Sequence, residues 1–416
     1  MSPHEPSANP GYLKLELTAR GLRIDAAVQA TAALRRAAND ASRGAVELAL
    51  PEGVSVNAPV APAPVAPSVA GDSPYLLSAQ GDRFTLLKNG SSVDVHLVPE
   101  PDFYRDHVSS GLPMHQVGRV YGSFIAVNPS FACGYSLHGA PCRFCRTGSG
   151  VSLGDGFPMS VQDVAEVVRA AFSEGVADFV YFNLAYGGGE DAGIAFLEPY
   201  IRAVKRQFNT LVAVQVHPPK TDRWVDRTYA MGVDAVSYAI EIHDPGLLAR
   251  HCAGRVRYIG RQRYYDALGY AATVFPSGTV WSDLVVGLEP AESTTRAIDW
   301  LTAAGVLPVL SVIGPSSDLA VAGVQPPAPE AVAPVCAHLF RAVRAARINM
   351  GWIRDLSFAI TPLEARFFAG DEARLTVAMQ QFYRSKIGSA AARNLARLRR
   401  RLRVRTVSDS FDSSHL

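Results

Sequence analysis

The chain has 416 residues, of which 48% are hydrophobic, enough for a sizeable core and roughly two to three domains at the usual size of about 100–200 residues each. Charged residues make up 19% and the formal net charge is +2, which excludes the strong global field that marks a nucleic-acid or acidic-substrate binder. The opening "MSPHEPSANP" lacks a basic stretch followed by an apolar run, no uncharged apolar run reaches about 18 residues, and five cysteines are too few for a disulfide framework, so a cytoplasmic protein with no membrane span is expected.

Residues 1–57 read as an N-terminal accessory α/β unit. "YLKLELT" alternates like a strand, and "DAAVQATAALRRAAND" has the Ala/Leu face of a helix. Residues 58–71, "APVAPAPVAPSVAG", alternate proline with small residues and read as a semi-rigid linker. Residues 72–115 form a β-rich lead-in, with Asn89-Gly90 and nearby glycine and serine residues punctuating short apolar runs in the manner of hairpins.

From residue 116 to 320, strand and helix patterns alternate. "YGSFIAVNP", "DFVYFNL", "LVAVQVH", "DAVSYAIEI", "TVWSDLVVGL" and "VLPVLSVIG" are apolar, β-prone runs, and helical stretches separate them. The first of these, "SVQDVAEVVRAAFSEG", has Ser160 as its N-cap and Gly175 as its stop. Near-continuous apolar strands imply a parallel sheet covered by helices. Right-handed crossovers would curl six such units into a partial barrel or an open sheet, with functional residues at the C-terminal strand ends. Residues 321–416 read as a helical C-terminal extension. Its tail "AARNLARLRRRLRVR" carries seven arginines between Arg393 and Arg405, either a solvated basic face or a contact for RNA or another acidic partner.

Three of the five cysteines lie in "CGYSLHGAPCRFC", Cys133 to Cys145, just after the first barrel strand. Cys142 and Cys145 are spaced to bite one metal centre, and the glycines and Pro141 let the loop bring Cys133 back. With His138 the stretch also reads C-x4-H-x3-C-x2-C, four ligands suited to a closed zinc site. An iron–sulfur cluster on the three cysteines would instead leave one iron without a protein ligand. The second strand ends in "YFNLAYGGGED", where three glycines leave the backbone open to a ligand and Glu190 follows at once. A structural zinc knuckle needs no such partner on the next strand.

Together these features resemble the radical S-adenosylmethionine (radical SAM) enzymes over roughly residues 121–315. The matching residues are Cys133, Cys142 and Cys145, with Phe144 before the last cysteine; Gly188, Gly189 and Glu190 after the second strand; and Gly287 and Glu289 in "DLVVGLEP". The C-x8-C-x2-C spacing departs from the family's common C-x3-C-x2-C and leaves the subfamily unassigned. The resemblance implies an α/β fold: a partial (β/α)6 TIM-like barrel with a small N-terminal α+β region and a helical C-terminal extension. It implies a [4Fe–4S] cluster on Cys133, Cys142 and Cys145, with SAM on the fourth iron. It also implies that Phe144 packs by the cluster and that Gly188, Gly189 and Glu190 hold the methionine amino group. Glu241 or Ser237 would meet the ribose or sulfonium. Of Arg257, Arg261 and Arg263, Arg263 is assigned to the SAM carboxylate by similarity to relatives of biotin synthase. The implied partners are a small-molecule substrate in cofactor or natural-product biosynthesis and an electron donor such as flavodoxin or ferredoxin.

His217 and His243 follow the third and fourth strands, where they read as structural histidines or substrate contacts. Cys252 and Cys336 fall outside the motif and read as ordinary buried thiols, with a substrate or radical-relay role as the alternative for Cys252. Two other functions compete with the small-molecule reading: radical SAM modification of RNA or protein, and a zinc-stabilised α/β binding protein without radical chemistry.

Overall fold

The computed structural model describes residues 9–29, 45–61, 73–81, 83–130, 132–145, 158–313, 324–353 and 356–407. Most of the linker expected at 58–71 and most of the helix expected at 25–40 lie outside these residues. No helix among the described residues is long and apolar enough to cross a membrane.

The N-terminal part is a small closed barrel. Its strands are β1 (Leu22–Ile24), β2 (Ala45–Ala49), β3 (Ser55–Ala61), β4 (Leu76–Gln80), β5 (Arg83–Lys88) and β6 (Ser91–Leu97), in the order β1-β3-β2-β6-β5-β4. Residues expected as two separate pieces, before and after the linker, therefore share one sheet, and β3 runs through Ala58–Ala61. The hairpin expected at Asn89-Gly90 joins β5 to β6. Both turn residues take positive φ (48° and 82°), the geometry that matches the twist of the flanking strands.

"YLKLELT" is not a strand. It belongs to helix α1 (Pro10–Arg20), started by proline in the first turn and by Asn9, whose side chain accepts from the Tyr12 backbone N–H. The alternation misleads because the helix is buried on several sides. Leu13 and Leu17 pack into the small barrel, whereas Leu15 joins the main core. Between them lie Lys14 and Glu16, both almost fully buried. Lys14 Nζ pairs with Glu364 Oε1 at 2.8 Å and bonds to Leu356 O at 2.5 Å, while Glu16 accepts from Tyr75 and Lys88.

The larger part is a mixed α/β half-barrel. Its seven-stranded sheet contains β7 (Gly118–Tyr121), β8 (Phe124–Val127), β9 (Phe179–Asn183), β10 (Leu211–Gln215), β11 (Ala235–Ser237), β12 (Val280–Val286) and β13 (Leu307–Val312), in sequence order across the sheet. An antiparallel β7–β8 hairpin opens it, and β8 to β13 are all parallel. The six parallel strands are the six apolar runs of the sequence. The principal covering helices are α2 (Val161–Glu174), α3 (Ile194–Gln207), α4 (Arg223–Ala230), α5 (Pro245–His251), α6 (Ala253–Tyr258), α7 (Arg261–Val274) and α8 (Ala291–Ala303). Helix α2 starts with a capping box between Ser160 and Asp163 and stops at Gly175 in the left-handed conformation, as its sequence predicts.

The C-terminal extension contributes α9 (Pro329–Ala345), α10 (Arg374–Arg384) and α11 (Lys386–Val407). The basic tail is partly a clasp. Arg400 donates to Tyr229 O, Val233 O and Asp234 Oδ1, Arg397 to Asn209 Oδ1, and Arg403 to Thr273 O.

The Lys14–Glu364 pair ties α1 to the C-terminal segment with side chains 1% and 4% exposed. Lys14→Ala leaves the Glu364 carboxylate buried without its cation and is expected to cost about 3–5 kcal/mol in urea unfolding. The double variant K14A/E364Q should recover more than half of that loss; no recovery would mean that packing of the lysine stem, not charge, sets the cost.

Candidate metal and cofactor site

The cysteine loop is clamped from two sides. After Cys133, the helical turn Gly134–Leu137 begins with Gly134 N–H donating to Tyr186 O at 2.7 Å, and a Cβ on Gly134 would stand 2.9 Å from that oxygen. Glycine therefore permits the loop to dock on the end of the β9 segment. On the other side, Arg143 N donates to His251 O at 2.8 Å, and a Cβ on Gly254 would stand 2.5 Å from Ala140 O. Cys145 N bonds to Cys142 O at 3.2 Å, closing the two-residue turn of the C-x2-C pair.

Held in this way, Cys133, Cys142 and Cys145 line one cavity at the C-terminal ends of the parallel strands, with Gln215, His217, Glu241 and Arg255 among its other walls. Among the described residues, no three His, Cys, Asp or Glu side chains stand together at metal-ligating distance. The three thiols supply the donor set that the resemblance requires. His138 does not join them: it is exposed, against the Tyr258 ring at 5.4 Å.

Arg255 and Glu241 form the ionic centre of the cavity. Arg255 Nη2 lies 2.8 Å from Glu241 Oε2, and Nη1 donates to Ala239 O. The pair is close but poorly aligned, because Glu241 Oε2 and Arg255 Nε, both fully buried, have no well-formed hydrogen bond. Burial pushes the Glu241 carboxyl upward, with Arg255 opposing. Glu241 also has φ of 59°, a left-handed conformation that a non-glycine residue keeps only where its surroundings enforce it. Here β12 enforces it: Glu241 N donates to Asp283 O at 2.9 Å and Glu241 O accepts from Val285 N at 2.8 Å. Regular pairing of β11 stops at Ser237, and the following residues bend so that Ala239 and Glu241 line the cavity.

The Cys142 thiol is pulled down to about 7, first by a hydrogen bond from Cys252 and further by the Arg255 charge, against the opposing effect of burial. The Cys252 thiol is correspondingly pushed up, as the donor of that bond and a buried group. His217 Nδ1 meets Tyr264 Oη at 2.7 Å, and burial holds the ring well below its usual range, in the neutral form. Tyr135 stacks on Tyr186 with ring centroids 4.3 Å apart and buries the loop from behind.

The remaining expected residues fall at varied distances from this cavity. Phe144 packs in the same apolar cluster as Tyr135, Cys142 and Cys252. Gly188 and Gly189 take positive φ (80° and 72°), but neither they nor Glu190 line the cavity. Glu190 is exposed, and its carbonyl accepts from Lys220 N at 2.7 Å. Arg263 is engaged elsewhere, donating to Pro219 O at 2.6 Å and pairing with Asp222 at 2.8 Å. Arg261 donates to His243 O and lies over the Tyr265 ring, and Arg257 lies over Tyr258. Gly287 has φ of 109° beside Pro327, while Glu289 accepts from the backbone N–H groups of His243 and Asp244, a structural cap. Ser237 is fully buried and Cys336 is buried in α9.

Three residues that the motifs do not single out help to build the site: Arg255, Gln215 and Cys252. For Cys252 and Arg255 the one sequence signal is "HCAGRVR", where they flank the glycine that permits close approach to the cysteine loop.

No protein-family model and no curated protein matches the sequence. Among solved structures, the chain is similar to the FeFe-hydrogenase maturase HydG from Carboxydothermus hydrogenoformans, with a TM-score of 0.43 and 15% identity over 55% of this chain and 53% of that one. It thus spans about half the length of that neighbour. It is also similar to a radical SAM methyltransferase from Sphaerobacter thermophilus, with a TM-score of 0.37 and 16% identity over 66% of this chain and 75% of that one. Likenesses at this level carry no argument about function.

Beneath the cavity, Gln215 Nε2 donates to Asp283 Oδ2 at 2.7 Å, and Tyr181 donates to Gln215. Burial, then the Glu241 charge, push the Asp283 carboxyl up to about 7. Its folded-state value therefore exceeds the unfolded value of about 4, so the proton is held more tightly in the fold. The stabilisation is present below about pH 4 and is lost as pH rises towards about 7, by up to about 4 kcal/mol. Asp283→Asn should flatten the stability profile across that window in urea titrations; a profile parallel to the parent's would overturn the assignment.

Proposed function

We propose that this chain is a radical SAM enzyme acting on a small molecule. The observation that carries the reading is the convergence of Cys133, Cys142 and Cys145 on one cavity at the C-terminal strand ends, with a buried cation at its wall. The cavity suits an anionic cluster with a zwitterionic ligand: it offers three thiols, the Nε of Arg255, which has no hydrogen-bond partner, and the Glu241 carboxylate that faces Arg255.

Cys133, Cys142 and Cys145 would hold a [4Fe–4S] cluster as thiolates. Bound there, the cluster and SAM would supply one-electron cleavage of the sulfonium C5′–S bond and, through it, abstraction of a hydrogen atom from the substrate. The rest is the work of the protein. Arg255 offsets the negative charge of the thiolates, most directly at Cys142, and Cys252 donates a hydrogen bond to the same sulfur. Arg255 also takes the carboxylate-binding role expected of Arg263, because its unpaired Nε is buried at the cavity wall whereas Arg263 is bound to Asp222. Glu241 offers an acceptor to the amino or ribose end of SAM, and Gly188, Gly189 and Glu190 receive the methionine amino group on the resemblance alone. Phe144, Tyr135 and Tyr186 keep water from the thiols. A flavodoxin- or ferredoxin-type donor would deliver the electron.

The zinc reading loses its fourth ligand with the exposed His138. The RNA reading loses part of its basic face, because Arg397, Arg400 and Arg403 bind the protein itself.

Anaerobic reconstitution with iron and sulfide should give a brown protein holding iron and acid-labile sulfide in equal amounts. Addition of dithionite and SAM should then produce 5′-deoxyadenosine and methionine. Cys142→Ala should abolish that turnover. A colourless protein that binds one zinc and no sulfide would sink the reading.

Arg255→Gln removes the buried charge while keeping hydrogen-bonding capacity. It should weaken SAM binding to the reconstituted protein by about 10-fold or more, as expected for a lost charge-assisted contact, whereas Arg263→Gln should change it by less than about 2-fold. The reverse order in equilibrium binding would restore Arg263 to the role.

A further inference from the structure

At the opposite end of the main sheet lies a second cavity, of about 180 Å³. Its walls come from the beginnings of the parallel strands, including Phe124, Phe179 and Leu211, and from Trp352 and Phe358 of the C-terminal segment. No residue is shared between this lining and that of the cysteine cavity. The interior of such a barrel is ordinarily filled by layers of branched side chains. Here β10 and β11 contribute Ala213 and Ala235 to the lining, which leaves room for a guest.

The space is close to the about 150 Å³ of an apolar cavity that takes up benzene. Pockets for small molecules are mainly apolar with a few polar groups that fix orientation. Two carboxyls line this one. Asp234 is paired with both Lys205 and Arg400, whereas Asp283 meets neutral donors, the amide of Gln215 and the side chains of Trp281 and Ser237. Asp283 is thus the available anchor, set among Tyr181, Trp281 and aliphatic groups.

We propose that this chamber is a binding site for a compact aromatic molecule, one ring in size, whose hydroxyl or amino substituent hydrogen-bonds to Asp283. The site stands independently of the cluster reading. Its occupant would be one side chain away from the cysteine cavity, because Gln215 bonds to Asp283 and lines that cavity itself.

Phenol and toluene serve as probes on the full-length protein, by saturation-transfer NMR and calorimetry at a pH above the titration of Asp283. Both should bind saturably at one site. Ala213→Phe fills the chamber and should weaken both by about 10-fold or more, through loss of the space that admits the ring. Asp283→Asn should weaken phenol by about 5-fold and leave toluene within about 2-fold, because a charge-assisted bond becomes a neutral one. If Ala213→Phe loses its near-UV circular dichroism, Ala235→Leu intrudes from the neighbouring strand and is read in the same way. Absence of saturable binding of either probe, or parental affinity in a folded chamber-filling variant, overturns the site. Equal loss of phenol and toluene in Asp283→Asn overturns the anchor.

Discussion

A guanidinium taken out of water must be met by charge and hydrogen bonds or it costs several kcal/mol, and Arg255 is such a group. It is 7% exposed, faces Glu241 at 2.8 Å, donates to Ala239 O and lies over the Tyr264 ring at 5.6 Å. The departure of the chain from β11 after Ser237, the left-handed turn at Glu241 and the close packing of Gly254 on the cysteine loop all converge on this one cation. Its charge then acts on the groups around it. It adds to the Cys252 bond in favouring thiolate at Cys142, and to the burial that keeps His217 neutral. A cavity that already holds a buried guanidinium beside an acidic thiol is prepared for an anionic inorganic centre, because thiolates must be deprotonated to ligate.

The rest of the fold holds that mouth in place from outside. Helix α1 is inserted between the small barrel and the main core, and its Lys14 reaches the Leu356–Glu364 segment. The same C-terminal segment pairs with β13 through Leu310 and Ile360, and α11 clasps the loops before β10 and β11 through Arg397 and Arg400. Chain ends that look accessory in sequence are thus bonded to the N-terminal side of the barrel, the side that carries stability in folds of this kind.

What was legible in the sequence follows from how local each signal is. The six parallel strands and their helices were readable because each buries a continuous apolar run, and the cap at Ser160 because it acts within three residues. Helix α1 has the pattern of a strand because Leu13 and Leu15 serve different cores, so apolar residues alternate without a pleat. The cysteines and the glycine turn were visible by spacing. Arg255 was not, because its role depends on Gly254 meeting Ala140 and Tyr135, a contact between segments more than a hundred residues apart. Arg263 has the type and neighbourhood of a carboxylate clamp, yet in α7 it is held by Asp222 and Pro219 instead.

The two ends of the barrel are joined by polar groups in an otherwise apolar interior. Tyr181, Gln215 and Asp283 form a hydrogen-bonded layer across three strands, above the aromatic chamber and below the cysteines. Such a layer costs stability compared with apolar packing, and Asp283 with its raised titration expresses part of that cost. A structural reason alone would be met by leucine or valine, as on the neighbouring positions of β12. The carboxyl is better explained by its neighbours on both faces: Gln215 and the buried Glu241–Arg255 pair on the cysteine side, and an open space of one ring on the other. A group that touches both is where a guest in the chamber and the charge state of the mouth would come into contact.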